Sequence, residues 1–173
     1  MIPRIVEKGL SFEQVKKKRE TVRAVVLNEQ QQVLMIYSKK FNDFTFPGGG
    51  IKSGETHEDA LKRELYEELG AIEIEIISSF YQIEEIKYGI LEDEDVYLQT
   101  SFYVLVKIQE FIKPTLLGRE KWHGIEPIWI HPDEAIIHNQ LSIEDQNHQK
   151  KGLKTVLLRE EAVLHQIKER FIR

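Results

Sequence analysis

The sequence has no cysteine among its 173 residues, which excludes disulfide bonds, thiolate zinc sites and cysteine nucleophiles. It also has no apolar run of about 18 residues, the length that spans a membrane, and its first residues lack the apolar core of a signal peptide. We therefore expect a cytoplasmic protein without a membrane partner. Basic residues are not in surplus, because the formal net charge is -5, and this argues against a stable nucleic-acid partner.

The composition that remains is ordinary for a globular protein, with 41% hydrophobic and 31% charged residues. The length suits one domain with a buried core. No internal repeat or interdomain linker interrupts the sequence. We predict a single domain over residues 1–173.

The most informative stretch runs from Phe46 to Ile72 and reads FPGGGIKSGETHEDALKRELYEELGAI. At about 100° per residue, Glu64, Glu67 and Glu68 share one face of a predicted helix. Another stripe of the same helix is apolar and suited to burial, with Leu61, Leu65 and Leu69. Like charges at this spacing cost an isolated helix roughly 0.2–0.5 kcal/mol per pair. A hard cation such as Mg²⁺ removes that cost, because it prefers oxygen ligands.

Capping signals predict that this helix runs from about His57 to Leu69, with Thr56 as N-cap and Gly70 at its end. Before it, Gly48, Gly49 and Gly50 read as a loop after Pro47. Runs of β-branched and apolar residues predict six strands, of which the first two form a hairpin: 21–27, 32–37, 44–46, 72–83, 97–108 and 126–130. Two more helices are predicted, one that opens at Pro132 and an amphipathic one that closes the chain.

Two groups of side chains offer weaker signals. The cations from Lys16 to Arg19 are more typical of a solvated edge or short helix than of a phosphate site. His138 and His148 lie in a polar stretch that reads as a loop, and their spacing is not a recognised metal-ligand pattern.

The sequence contains Gly49, then five residues, Glu55, then seven residues, and then Arg63-Glu64-Leu65-Tyr66-Glu67-Glu68-Leu69-Gly70. This pattern resembles the Nudix box, the signature of the Nudix hydrolases. The box ends at Ala71, where a larger aliphatic residue is usual. The order of the strands and the closing helix is also similar to that of the family, so the resemblance extends over about the whole chain. It implies an α/β fold in which a mixed β-sheet is sandwiched between helices (α/β/α).

The resemblance also implies roles. Nudix hydrolases use water and a divalent ion, Mg²⁺ or Mn²⁺, to cleave a nucleoside diphosphate linked to another group. The implied metal ligands are Glu64, Glu67, Glu68 and the backbone carbonyl of Gly49. Arg63 orients the carboxylates through an ion pair in this scheme, and Glu55 supports the loop. Among candidate substrate contacts are Phe46, whose ring can stack on a base, and the phosphate-facing backbone of Gly48, Gly49 and Gly50.

The attacking water needs a base, and Glu64 is the first choice with Glu68 as the second. A carboxylate on a later loop is the alternative: Glu120, Glu126 or the acidic run from Glu92 to Asp95. None stands at a diagnostic spacing, and such residues are typical of solvated surface acids.

The substrate is fixed by residues outside the box. We expect a small nucleotide-type partner: a nucleoside triphosphate, an oxidised nucleotide, a dinucleoside polyphosphate or a nucleotide sugar. A non-catalytic nucleotide sensor is the second hypothesis, although all the box glutamates are present. An isoprenoid diphosphate isomerase is excluded because that chemistry uses a cysteine. A hairpin around residues 84–95 offers a route to a homodimer.

Overall fold

We describe the protein from a computed structural model, which covers residues 1–90, 95–112 and 124–173. The strands of this part are β1 Arg4–Val6, β2 Val15–Val25, β3 Val33–Ser38, β4 Asp43–Thr45, β5 Gly48–Gly50, β6 Ala71–Tyr88, β7 Val96–Phe111 and β8 Ile125–Ile130. The helices are α1 His57–Leu69, α2 Pro132–Ser142 and α3 Val156–Phe171, and a 3₁₀ turn covers Phe12–Gln14. Among these residues, no helix is long and apolar enough to cross a membrane.

The strands form a larger mixed sheet and a smaller antiparallel one. The larger sheet has the order β1-β6-β7-β2-β5. In it, β1 is parallel to β6 and β2 to β7, whereas the β6–β7 and β2–β5 pairs are antiparallel. The smaller sheet has the order β4-β3-β8. The predicted mixed sheet is therefore confirmed.

Both faces of β3 and of the second half of β2, from Thr21 to Val25, are largely buried, which explains why these stretches are mostly apolar. Successive side chains point to opposite faces. Val22 and Ala24 of β2 therefore pack in one core with the apolar stripe of α1, which consists of Ala60, Leu61, Leu65 and Leu69. Val25 packs in the second core with side chains of α3: Val163, Leu164 and Ile167. The helices thus lie on opposite sides of the strands, as the predicted α/β/α fold requires.

Several local predictions need correction. The turn between β2 and β3 forms, with a hydrogen bond from Asn28 N to Gln32 O at 3.1 Å, but the two strands then enter different sheets. A single bridge joins them, between Leu27 and Val33. Lys16 to Arg19 are exposed, as expected, yet they belong to β2. Its pairing with β7 extends the strand to Val15, beyond what the polar sequence indicated.

The loop predicted over residues 138–151 is partly wrong, because residues 138–142 belong to α2 and only residues 143–151 form a series of turns. His138 lies within α2, where its Nε2 is 2.9 Å from Asn42 O. His148 is 2% exposed and lies between two carboxylates. The hairpin of β6 and β7 is also longer than predicted, because its ladder continues to Tyr88 opposite Val96. Residues 91–94 of its connection lie outside the described residues.

Candidate metal and phosphate site

Helix α1 forms as predicted and sets the positions of the box glutamates. Thr56 accepts a hydrogen bond from Asp59 N at 3.1 Å and so caps the N-terminus. Gly70 ends the helix with a φ of 65°, a left-handed conformation that glycine adopts at little cost. The buried leucine stripe fixes the rotation of the helix. As a result, Glu64 and Glu68 reach the glycine strand β5.

The three glycines form a strand rather than the predicted loop. They pair with Thr21 to Arg23 of β2 in antiparallel register. A Cβ on Gly48 would overlap the carbonyl oxygen of Val22, and a Cβ on Gly49 would overlap the Glu64 carboxylate. Glycine is therefore required at Gly48, where the conflict is with backbone and φ is 140°, whereas a side chain at Gly49 would displace the Glu64 carboxylate.

Two carboxylates are held against this strand. Glu68 Oε1 accepts a hydrogen bond from Gly48 N at 2.7 Å. Glu64 Oε1 accepts one from Arg63 Nη1 at 2.9 Å. Glu67 Oε2 is 3.7 Å from the same Arg63 nitrogen, and its side chain is the more exposed of this pair of Arg63 partners. Arg63 thus forms ion pairs with the carboxylates of Glu64 and Glu67.

Arg63 is itself fixed by Glu55. The guanidinium binds Glu55 in a two-point arrangement, with Nε–Oε1 and Nη2–Oε2 distances of 2.6 and 3.0 Å, and Nη2 also donates to Gly50 O at 3.1 Å. These hydrogen bonds, followed by one from Lys52 N, lower the pKa of Glu55 to about 2. In return, Glu55 and then Glu64 raise the pKa of Arg63. Both groups are therefore charged at neutral pH.

A cavity of about 330 Å³ opens beside this cluster. Its lining includes β5, Glu64 and Glu68, together with both cationic and apolar side chains. Cationic residues contribute one part of the lining: Arg19, Arg23, Lys87, His148 and Arg159. Apolar residues contribute another: Ile36, Phe41, Ile90, Ile125, Leu153 and Val156. Such a cavity suits a ligand that has both a polyanionic and an apolar part.

Arg23 provides an unusual donor at this cavity. Its Nη1 donates to Phe46 O at 2.9 Å. Its Nε is buried and has no hydrogen-bond partner among the described residues. A buried donor without a partner is costly, and the guanidinium group that carries it belongs to a residue that lines the cavity.

The donor set can hold a magnesium or manganese ion. Glu64, Glu68 and the backbone of Gly49 supply the hard oxygen ligands that these ions prefer. The described residues contain no group of three His, Asp or Glu side chains arranged as metal ligands. Two carboxylates still fit Mg²⁺, because this ion usually keeps several waters and completes its coordination with substrate phosphates. Glu67 remains a predicted ligand.

Phe46 supports the site from the core. Its side chain is 1% exposed, and its ring packs edge-on against Tyr103 at a centroid distance of 5.3 Å. Its N–H donates to Glu160 Oε2 at 2.6 Å. The ring therefore packs within the core, and Phe46 contributes to the site by holding the start of β5.

The candidate bases on later loops fall in different places. Glu120 and the residues from Glu92 to Glu94 lie outside the described residues. Asp95 forms an ion pair with Lys17 at 2.9 Å. Glu126 is exposed on β8, opposite Tyr37 of β3.

Sequence reasoning missed most of the cationic lining. Arg23 interrupts the apolar run of β2, and a charged residue within a buried strand is a signal that was available. Arg19 lies four residues earlier on the same face of β2. Lys87 and His148 lie in stretches that read as a polar connection and a loop. Their approach to the cavity depends on long-range packing, which no local pattern shows.

The fold and the site define a class of protein: an α/β/α domain that presents helix carboxylates and a glycine strand to a cavity lined in part by cationic side chains. The sequence profile of the NUDIX domain matches residues 17–154. The chain belongs to the Nudix family.

Curated relatives resemble the chain over part of its length. The RNA pyrophosphohydrolase of Edwardsiella ictaluri is 44% identical over 63 residues, which are 35% of this chain and 36% of that protein. The RNA pyrophosphohydrolase of a Sulfurovum species is 42% identical over 74 residues, 40% of this chain and 46% of that protein. The chain thus spans less than half the length of these relatives.

Solved structures share the fold. A NUDIX hydrolase from Nitrosomonas europaea has a TM-score of 0.54 and 18% identity, covering 85% of this chain and 90% of that one. The ORF135 protein of E. coli has a TM-score of 0.50 and 20% identity, covering 70% of this chain and 79% of that one. At these identities the likeness concerns the fold.

Proposed function

We propose that this chain is a metal-dependent pyrophosphohydrolase, a single Nudix domain that cleaves a phosphoric anhydride in a nucleotide-type substrate. The observation that carries the proposal is the cavity in which Glu64, Glu68 and the glycine strand meet a set of cationic side chains. Carboxylates for a hard metal and cations for phosphates are the two parts that phosphoryl transfer needs.

The residues of the chain have defined tasks in this reaction. The ion would be held by Glu64, Glu67, Glu68 and the carbonyl of Gly49. The chemistry that Mg²⁺ or Mn²⁺ supplies when bound is charge neutralisation on phosphoryl oxygens and a lower pKa for water. Glu64 accepts the proton of the attacking water, while Arg63 keeps its carboxylate in place. The backbone of Gly48, Gly49 and Gly50 lies beside the phosphates.

The substrate that we favour is a nucleoside triphosphate, either free or at the end of an RNA chain. The matched relatives are named RNA pyrophosphohydrolases, and the phosphoric anhydrides of an RNA belong to its 5′-triphosphate end. Such an RNA is a substrate that the protein releases, so it agrees with the expected lack of a stable nucleic-acid partner.

A substrate screen tests the proposal. The panel contains normal and oxidised nucleoside triphosphates, 5′-triphosphorylated RNA, dinucleoside polyphosphates, ADP-ribose and nucleotide sugars, each with Mg²⁺ or Mn²⁺. We expect metal-dependent release of phosphate or pyrophosphate from a triphosphate. Absence of turnover with every member of the panel would contradict the proposal and favour the nucleotide-sensing alternative.

A homodimer is part of the same proposal. Among the described residues, β1 pairs only with Glu84 to Ile86 of β6. Most of β6 therefore has no neighbouring strand on the edge where β1 lies. An open edge is a template for pairing with a second copy. Light scattering at high concentration tests the dimer, and a monodisperse monomer would exclude it.

A further inference from the structure

Lys87, near the end of β6, is a buried cation at the cavity. Its side chain is 3% exposed and lines the same cavity as Glu64 and Glu68. Its ion pair with Glu85 Oε1 spans 3.9 Å, which is too long for a hydrogen bond. No other described residue accepts a hydrogen bond from its ammonium group. Within the part of the chain that the structure describes, the three donors of this ammonium group therefore have no acceptor, and an anion in the cavity can supply one.

The neighbours of Lys87 are already satisfied by one another. Arg159 Nη1 binds Glu85 Oε2 at 3.0 Å, and its Nε binds Glu160 Oε1 at 2.7 Å. Glu85 also accepts hydrogen bonds from Thr155 Oγ1 at 2.8 Å and from Gln99 Nε2 at 3.0 Å. Glu85 thus has its partners without Lys87. A lysine that only balanced this buried charge would be expected to hydrogen-bond to a carboxylate.

The surroundings hold the cation of Lys87 weakly. Burial lowers its pKa to about 8, against the attraction of Glu85 and then Glu7, while Arg159 and Arg19 lower it further. These are the charged groups that face Lys87 from β6, β2, α3 and the residue after β1. An anion in the cavity would replace the missing solvation and favour the charged form.

We propose that Lys87 is a substrate-binding residue that donates hydrogen bonds to a phosphate other than the one held at Glu64 and Glu68. This inference rests on the proposed function and narrows its substrate class. Because Arg19 and Arg23 also line the cavity, this assignment favours a substrate with a longer run of phosphates, such as a triphosphate or a dinucleoside polyphosphate. A nucleotide sugar has a neutral sugar beyond its two phosphates, so it offers no further phosphate to Lys87.

The first test compares substrates. Lys87→Met keeps the length of the side chain and removes its charge. We expect KM for a nucleoside triphosphate to rise roughly 10- to 100-fold, the range of a lost hydrogen bond to a charged group. KM for a nucleotide sugar, where turnover is detectable, should change far less. Lys107→Met is the matched control, because Lys107 is exposed on β7 opposite Glu75.

The second test measures binding without turnover. Inorganic triphosphate is titrated into the full chain by calorimetry at about pH 9, without divalent metal, in two buffers of different ionisation enthalpy. Because Lys87 is largely neutral at this pH, whereas triphosphate itself also titrates near it, binding by the parent should take up more protons than binding by a variant without this lysine. Lys87→Met and Lys87→Gln should bind roughly 10- to 100-fold more weakly and lose that additional uptake. Lys107→Met should behave like the parent.

The outcomes separate the two proposals. Folded variants that bind triphosphate as the parent does, or a parent that does not bind it, would overturn the role of Lys87. If neither variant folds, proton uptake by the parent decides, and its absence overturns the inference. A chain that binds triphosphate through Lys87 but hydrolyses nothing contradicts the proposed function alone. If the Lys87 variants hydrolyse the triphosphate with the same KM as the parent, only the inference is contradicted.

Discussion

Arg63 shows how much one side chain contributes to the organisation of the site. It binds Glu55 through two hydrogen bonds, Glu64 through one and the carbonyl of Gly50 through another. A planar guanidinium can make these contacts together, whereas a lysine ammonium cannot reproduce the fork. Arg63 therefore connects the loop before α1, the helix and the glycine strand, and it fixes the carboxylate that we propose as the base.

His148 allows a prediction about pH. Its ring nitrogens lie 2.9 Å from Asp145 Oδ1 and 2.8 Å from Asp43 Oδ2, so two acceptors face one ring and both nitrogens must donate. Burial opposes the charge, but the hydrogen bonds to Asp43 and Asp145 outweigh it and raise the pKa of His148. We expect a titration midpoint above about 6.5, the ordinary value, when the ring is followed by NMR.

The raised pKa also gives the sign of the effect on stability. The stabilisation from His148 is fully present below about pH 6.5 and is lost as the pH rises through the folded-state pKa. As the pH is raised from about 6 to about 9, the thermal midpoint of unfolding should therefore decrease, and it should decrease less steeply in His148→Gln. His165→Gln, at an exposed histidine of α3, is the control. If the thermal midpoint changes with pH equally steeply in the parent and in His148→Gln, the ion pairs of His148 do not contribute to stability.

At the scale of elements, the contact between β5 and α1 has no spare volume. A Cβ on Gly49 would overlap the carboxylate of Glu64, so Gly49→Ala must displace that group from its position. We expect activity to fall by about 100-fold, because the displaced groups include the proposed base. The rate of hydrolysis of the best substrate measures the effect.

Gly50→Ala is the matched comparison on the same strand. A Cβ there would lie 3.2 Å from Arg19 Nη2, the far end of a flexible side chain that can move aside. Its effect on activity should be smaller. Equal losses in the two variants would mean that the strand tolerates no side chain at either position, and that the Gly49–Glu64 contact has no special role.

The elements also show what local sequence could predict. The bounds of α1 follow from Thr56, Gly70 and the leucine stripe, all of which act within a few residues, and the prediction matched the structure. Strand β6 runs past its predicted end at Ile83, because the charged residues Glu85 and Lys87 are buried within it. A buried charge pair looks like a solvated turn when its partner, Arg159, is far along the chain.

At the scale of the whole molecule, the α/β/α arrangement was predictable from the box and the strand order, whereas the division into two sheets was not. The division depends on which strands pair over long range, as β2 with β7 and β3 with β8. The carboxylate half of the site lies in one short stretch and was found from sequence. The cationic half is assembled from β2, β6, the loop that holds His148, and α3.

Metal binding should be visible in the stability of the whole domain. A ligand that binds the folded state stabilises it by about 2.7 kcal/mol at 100 times its dissociation constant. We therefore expect Mn²⁺ or Mg²⁺ to raise the thermal midpoint of the parent, and a chelator to reverse the rise. The Glu64→Gln, Glu68→Gln double variant should show little rise. A rise as large as that of the parent would place the ion elsewhere.

The most direct measurement is the hydrolysis rate of Glu64→Gln with the best substrate and Mg²⁺. Glutamine has nearly the same shape as glutamate but neither its charge nor its basicity. We predict a loss of about 100-fold or more with an unaltered fold. Glu58→Gln, at an exposed position of the same helix where the glutamate pairs with Lys62, should retain the rate of the parent. If Glu64→Gln hydrolyses the substrate as fast as the parent, the assigned role of Glu64 is wrong.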